Sequence, residues 1–411
     1  MIRTKMFVEC WGYLRYKYDK KVGIMKQKNS KIYILVVIGM VSALGPFVTD
    51  FYLPAFPNLV TYFDTTASQV QLSLTFSMIG LAVGQVFLGP VSDKFGRKRP
   101  LVISMFFFVL SSIGCVLSPS IEIFILTRFI QGFSGAGGIV ISKSIATDLY
   151  GGKDLAKFFS MLACVQGLAP ICAPVLGGLL LLVTNWRGIF GLLVLIGILL
   201  LLILLRFRDS LTKENRLQGE LKERFVYYKE VLKHRKFMYF VLIQVLGMGV
   251  MFSYIASSPF IFQEHYHLSP VMYSVCFACN AVAIMLGSLS VVRFRSNEHA
   301  LRVGVWGFMF LCCCTGTALC MKLPVIIIEI VFFLFLFFLG IILPTSTTLA
   351  LNLERQNSGT ASAILGFLTF LGGGIISPLT GMGNILYSTS AIMFVCCVLV
   401  LVCTWRVLKM V

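Results

Sequence analysis

The sequence predicts an all-α membrane protein of twelve transmembrane helices, arranged as two six-helix halves with both termini cytoplasmic. Three observations lead there. The chain of 411 residues is 58% hydrophobic and only 13% charged, whereas a soluble domain carries about one quarter charged residues. Its apolar residues gather into runs long enough to span a bilayer, which takes roughly 20 residues of helix. Its cations gather in the joints between those runs, and far more in every second joint than in the others.

Residues 1–31 carry nine Lys and Arg. No short apolar core with a small-residue cleavage site follows, so this is a basic cytoplasmic leader and not a cleaved signal peptide. Met25, followed by a short polar stretch and then the first span, is a candidate translation start. Spans are expected at about 32–55, 68–91, 100–118, 121–147, 157–182, 188–206, 236–260, 270–292, 300–321, 324–349, 359–382 and 386–406. The joins at Pro119 and at Leu323-Pro324 leave room only for tight hairpins. The one long polar connection divides the spans six and six. The organisation is therefore a leader (1–31), a first half (32–206), a cytoplasmic linker (207–235), a second half (236–406) and a cytoplasmic tail (407–411).

With the leader inside, the inner joints hold Lys94, Arg97, Lys98 and Arg99, then Lys153 and Lys157, then ten Lys and Arg across 206–236, then Arg293, Arg295, Arg302 and Arg355, and finally Arg406 and Lys409. The outer joints hold only Arg187 and Lys322. This asymmetry sets the topology. It also accounts for the net charge of +18 without a nucleic-acid partner, because the cations lie between apolar spans and not on one soluble face. Most of the 13 cysteines lie inside apolar runs, as in Cys312-Cys313-Cys314, and read as reduced small residues facing lipid or helices. No metal site is expected. No phosphate-binding GxxxxGK[ST] loop occurs, so an ion gradient and not ATP is the expected energy source, and no cofactor is expected. No nucleophile–base pair argues for an enzyme.

The joint from Gly89 to Pro100 is the densest in signals, with one carboxylate, four cations, two glycines and two prolines. It is expected to form a tight turn at the inner face. Gly89 lets helix backbones approach closely, and Gly96 supplies the positive φ that such a turn needs. Asp93 suits the N-terminal end of a helix from the other half, and Arg97 can pair with Asp93 or with Asp148 at the inner end of the fourth span. A juxtamembrane cation cluster can serve topology alone, but the glycine spacing favours a gate. The matching joint of the second half, Ser290 to Glu298, is also basic but poorer in glycine. Two halves with matched hinges are the internal symmetry of a secondary transporter.

Gly89-x-x-x-Asp93-Lys94-x-Gly96-Arg97-Lys98-Arg99 resembles the signature hinge of the major facilitator superfamily. Three further stretches resemble one branch of it, the bicyclomycin-resistance type of drug:proton antiporter. They are Asp50-Phe51-Tyr52-Leu53-Pro54-Ala55 in the first span, Arg128-Phe129-Ile130-Gln131-Gly132 in the fourth, and Ala169-Pro170-Ile171-Cys172-Ala173-Pro174-Val175-Leu176-Gly177-Gly178 in the fifth. Ala173 stands where many antiporters have glycine. The resemblance covers about residues 31–406 and is sharpest in the first half. It implies the major facilitator fold, a monomer in the bacterial inner membrane, and proton-driven export of small molecules by alternating access. It further implies that hinge contacts of Asp93, Arg97 and Lys98 latch the inner gate while the transporter is open outward. Asp50 would be the proton-titratable acid, with Tyr52 in the same element. Pro170, Pro174, Gly177 and Gly178 would shape a bend that closes the cavity against proton leak.

The residues themselves point the same way. Asp50 is the one carboxylate well inside the spans of the first half; an acid there either snorkels to the outer surface or serves transport, and the second is the default for an intramembrane acid. Arg128 lies ten residues past Ser118, about 15 Å deep at 1.5 Å per residue, so it needs a partner or a watery cavity. It is either a structural ion-pair partner or a coupling residue near Asp50, with Gln131 on the same face to orient it. The Pro/Gly run of the fifth span has a counterpart in Gly372-Gly373-Gly374, Pro378 and Gly381 of the eleventh, which favours a shared mechanical role over a local kink. In the second half, Gln244, Tyr254, Ser257, Ser258, Asn280 and Thr345 to Thr348 are candidates for a substrate cavity, or simply for helix–helix hydrogen bonds. Glu264, His265 and His267 read as a solvated outer loop. Phe-rich walls suit amphipathic drugs. The leading expectation is a proton-coupled drug exporter; the alternatives are a dedicated metabolite or siderophore transporter, and a membrane ligand sensor that moves nothing.

Overall fold

A computed structural model describes residues 31–212, 214, 216, 231–354 and 358–410. The basic leader with Met25, most of the linker and Arg355 lie outside the described residues. Among those described, the chain forms helices and no strand. In order they are α1 (Lys31–Asp50), α2 (Ala67–Phe95), α3 (Lys98–Leu117), α4 (Ile121–Leu149), α5 (Gly152–Leu180), α6 (Trp186–Arg206), α7 (Arg235–Pro259), α8 (Pro270–Ser290), α9 (Asn297–Cys320), α10 (Val325–Leu353), α11 (Ser358–Ile376) and α12 (Ile385–Lys409). Eleven described spans are long and apolar enough to cross a membrane; α5 contributes a shorter apolar stretch, Val165–Leu180, among its described residues.

Local chemistry sets the ends of several helices. Side chains of Thr66, Asn185, Ser269, Ser296 and Asn384 accept a backbone N–H in the first turn of α2, α6, α8, α9 and α12, meeting donors that helix geometry leaves open. The joins at Pro119 and Leu323-Pro324 are short, as the sequence predicts.

Three elements differ from the sequence reading. The first span does not end near residue 55. α1 stops at Asp50, a 3₁₀ turn follows at Leu53–Ala55, and a short helix runs from Phe56 to Phe63. Pro54 has no N–H to continue an α-helical ladder, so the run breaks there while the chain still crosses. Second, most of the charged joint is not a turn. α2 runs on to Phe95, and only Gly96 and Arg97 separate it from α3. Gly96 has φ +90°, where an L side chain is strained. Third, Glu264 and His265 are not on a loop. They belong to a π-helical segment, Phe260–His265, that prolongs α7.

The packing repeats between halves. α4 packs on α2 and α3, and α3 on α6; likewise α10 packs on α8 and α9, and α9 on α12. Small residues let the central pairs meet backbone to backbone: a Cβ at Gly132 of α4 would run into the Ser77 carbonyl of α2, and one at Gly340 of α10 into the Ile284 carbonyl of α8. The halves meet through α2 with α11 and through α5 with α8.

Candidate functional site

Arg128 is wholly buried, and the first half is built around it. One guanidinium nitrogen donates to the Val48 carbonyl at 2.6 Å and another to Oε1 of Gln131. Gln131 in turn donates to the Ser112 hydroxyl at 2.7 Å. The guanidinium lies 4.2 Å from the centre of the Tyr52 ring and 5.6 Å from that of Phe190. Ring faces are electron-rich, and such contacts gain value where water is excluded. The Tyr52 hydroxyl is 3.0 Å from that of Ser73 on α2, which fixes the ring. Neutral acceptors and π-faces thus disperse this charge, and Gln131 orients the guanidinium as its spacing predicts.

Asp50 is also buried, at 5% exposure, but it does not meet Arg128. The reason is helical phase. The Val48 side chain faces α4 at Gly135. Two residues further along a helix turn the next side chain by about 200°, so Asp50 points away from α4. Its neighbour Thr49 donates back along α1 to the Gly45 and Pro46 carbonyls, and Asp50 lies within electrostatic reach of Tyr273 on α8. Among the described residues no cation pairs with it. The expected Asp50–Arg128 couple is therefore two separate sites: a cation inside the first half and an acid at the seam with the second.

The helix 5 element lies on that same seam. A Cβ at Gly177 would strike the Phe51 carbonyl, and one at Gly178 would lie 2.5 Å from the Ser274 hydroxyl of α8. Pro170 and Pro174 sit within α5. Its counterpart, in α11 and the 3₁₀ turn that follows it (Ser377–Gly381), serves the opposite seam: Gly374 faces the Thr75 carbonyl of α2, and Gly381 faces Gln71 and Ser68. Four hydrogen bonds among the described residues join the halves, all at the helix ends far from the linker. They run from Ser68 to the Pro378 carbonyl (3.2 Å), Gln71 to Ala256 (3.0 Å), Thr75 to Gly374 (2.8 Å) and Gln263 to Pro54 (3.1 Å).

At the linker end, the hinge is an ionic knot. Arg97, only 6% exposed, forks onto both Asp148 oxygens at 2.9 and 3.2 Å and donates to Asp93 at 2.5 Å and to Ser92 at 2.9 Å. Its expected choice between Asp93 and Asp148 is resolved by binding both. Burial works against the charge, yet the hydrogen bonds and charges of Asp148 and Asp93 outweigh it and push the guanidinium pKa above the ordinary arginine value. Lys98 donates to the Leu205 carbonyl at the end of α6. Gly89 packs beside Val140 of α4.

Several residues here were missed from sequence. The linker folds back on the hinge: Asp209 accepts the Arg97 backbone N–H at 2.9 Å and pairs with Arg216, and Ser210 donates to Asp148 at 2.9 Å. A Cβ on Gly96 would overlap Asp209 and Arg216. No local pattern marks a linker acid as a hinge ligand. Glu329 in α10 was missed too, although the rule that singles out Asp50 applies to it: it stands alone in a long apolar run. Cys276 and Cys279 form a C-x-x-C pair on α8, but among the described residues no group of three or more His, Cys, Asp or Glu could hold a metal.

The family model described as Major Facilitator Superfamily matches residues 35–378. An MFS-type transporter of Bacillus subtilis, YdgK, described as uncharacterized, is 38% identical over 378 residues, covering 89% of this chain and 94% of its own. A bicyclomycin resistance protein homolog of Haemophilus influenzae is 28% identical, covering 86% and 90%. Among solved structures, a D-xylose-proton symporter superposes with a TM-score of 0.71 at 16% identity, over 90% of this chain and 97% of that one.

Proposed function

Because the chain belongs to the Major Facilitator Superfamily, we propose that it is a proton-coupled secondary transporter exporting drugs or other small amphipathic molecules across the bacterial inner membrane by alternating access. Its twelve helices all cross, with both termini and the linker in the cytoplasm. The far-end hydrogen bonds then close the outer side, and the hinge lies at the inner gate. The halves are residues 32–206 and 236–406, working as a monomer with no cofactor beyond the proton gradient.

One observation carries the coupling: Asp50 is a buried acid with no cation partner among the described residues, set at the seam between the halves. Such a carboxyl exchanges a proton with whichever side the seam opens to, and its charge changes the cost of closing the seam. Arg128 supplies a fixed positive potential in the same half. The kinship with a bicyclomycin resistance protein homolog favours export of a drug-like molecule.

The test is a drug-susceptibility panel in a pump-deficient host, followed by flux in everted vesicles. The wild type should raise tolerance to at least one amphipathic drug, and Asp50→Asn, present at equal level in the membrane, should not. Drug-induced proton release that persists in Asp50→Asn removes Asp50 from the coupling. Ligand binding without flux under any gradient would identify a sensor instead.

A further inference from the structure

The second half holds a half-buried ionisable group for which the reading above has no use. Glu329 is the fifth residue of α10, about 6 Å from the helix start, near enough to the surface for a carboxylate to reach water. It turns inward instead. One carboxyl oxygen accepts from the Asn280 amide of α8 at 3.0 Å, and the same amide nitrogen donates to the Tyr254 hydroxyl of α7 at 2.9 Å. Asn280 is fully buried and Tyr254 is 2% exposed. Two acceptors in this triad, Oε1 of Glu329 and Oδ1 of Asn280, are buried without a hydrogen-bond partner. Aromatic rings close the triad in: Phe277 stacks on Tyr254, Phe332 packs on the same ring at 5.1 Å, and Phe262 covers Phe332.

No described ion pair involves Glu329. Among the described residues, Tyr254 of α7 and Cys276 of α8 are ionisable groups in electrostatic reach of it. The charged residues of α9, which packs along α10, are Glu298, His299 and Arg302 at its opposite end. The described part of α11 contains none. Lys322, in the turn before α10, is exposed. A carboxylate so placed has one donor for two oxygens and no countercharge, and rings that present electron-rich faces give it nothing.

We propose that Glu329 is a second proton-binding site, read out by Asn280 and Tyr254. With Glu329 ionised, the amide turns its NH₂ toward the carboxylate and the phenol oxygen, as the structure has it. With a proton added to the carboxyl oxygen that faces Asn280, the N–H···O bond to it is lost. The amide then turns over, and its oxygen accepts from both the carboxyl O–H and the Tyr254 O–H. An amide oxygen and nitrogen exchange places with no change of shape, so one proton on α10 re-sorts hydrogen bonds on α7 and α8. This site is independent of Asp50.

Infrared difference spectroscopy of the full chain in lipid vesicles, acid minus alkaline, reads carboxyl protonation directly. The protonated-carboxyl band should contain a component that shifts when the protein is made with carboxyl-labelled ¹³C-glutamate. That component should disappear in Glu329→Gln and persist in Asp50→Asn. Tyr254→Phe, which keeps the ring, should move the band's position or midpoint. Should Glu329→Gln fail to fold, the labelled Tyr254→Phe protein, which keeps the ring, carries the test instead. The absence of any glutamate-sensitive component, or one that survives unchanged in Glu329→Gln, overturns the proposal, whatever becomes of Asp50. So does a midpoint that moves with sodium concentration at fixed pH, which would make the triad a sodium site.

Discussion

Tyr52 and Tyr254 occupy the same place in the two halves. Each lies toward the end of the first span of its half, away from the linker. Each helps to hold a charged residue from the fourth helix of its half. In the first half that residue is Arg128, under the Tyr52 ring; in the second it is Glu329, reached through Asn280. The signs are opposite, and the difference is instructive. A guanidinium is charged at every accessible pH, and π-faces, carbonyls and an amide oxygen suffice to house it. An acid gains nothing from π-faces and depends on donors or on a proton. One scaffold thus carries a constant charge on one side of its pseudo-symmetry axis and a switchable one on the other.

The largest way to break this comparison is Arg128→Met. It leaves the Val48 carbonyl and Gln131 without their charged donor, and hydrogen bonds to charged groups are each worth roughly 1.5–3 kcal/mol. Transport should be lost and the unfolding midpoint in detergent should fall clearly. Arg128→Lys should recover little, since a single ammonium cannot fork to both acceptors while lying flat beneath a ring.

A second contrast lies in the hinges. The first is tied by Arg97 to Asp93 and Asp148. The second has a 3₁₀ turn, Val291–Arg293, and exposed Arg293 and Arg295. Arg97→Gln should slow substrate exchange by about tenfold, equivalent to roughly 1.4 kcal/mol of barrier. Arg295→Gln should leave the rate within error, as vesicle flux measured side by side would report. A rate within error in both variants would mean that both hinges serve topology alone; equal slowing would make both of them gates.

The smallest effects sharpen the comparison most. Tyr52→Phe keeps the ring over Arg128 and loses only the hydroxyl contact with Ser73, about 1 kcal/mol in thermal stability, with an unchanged pH profile of transport. Tyr254→Phe should cost a similar amount, yet it should displace that profile, because its hydroxyl belongs to the titrating triad. A shift in both variants, or in neither, would erase the distinction between the halves.

Hydropathy and charge placed nearly every helix, since both follow from the bilayer itself. Gly96 was legible because a two-residue turn admits few alternatives. The relation of Asp50 to Arg128 was not, because residues in the same half and at similar depth need not share a helix face, and the phase of α1 sets them apart. Tyr254 and Asn280 were visible as polar residues in apolar helices, but their shared partner was not, because it takes three packed helices to bring Glu329 to them. Asp209 was hidden for a different reason: linker residues reach the hinge by a fold-back that no periodicity encodes.

The four bonds across the far end have a consequence for how this chain can change over generations. Every one joins a side chain on one half to a backbone carbonyl on the other. The acceptor positions, Ala256, Gly374, Pro378 and Pro54, offer nothing that a change of side-chain chemistry would remove. Selection on the seal therefore falls on Ser68, Gln71, Thr75 and Gln263, while acceptor chemistry can drift within the limits of packing. At about 1 kcal/mol each, four neutral bonds also total less than the roughly 5.5 kcal/mol that inverts a two-state balance from 1:99 to 99:1. The bonds of the seal hold the door without bolting it.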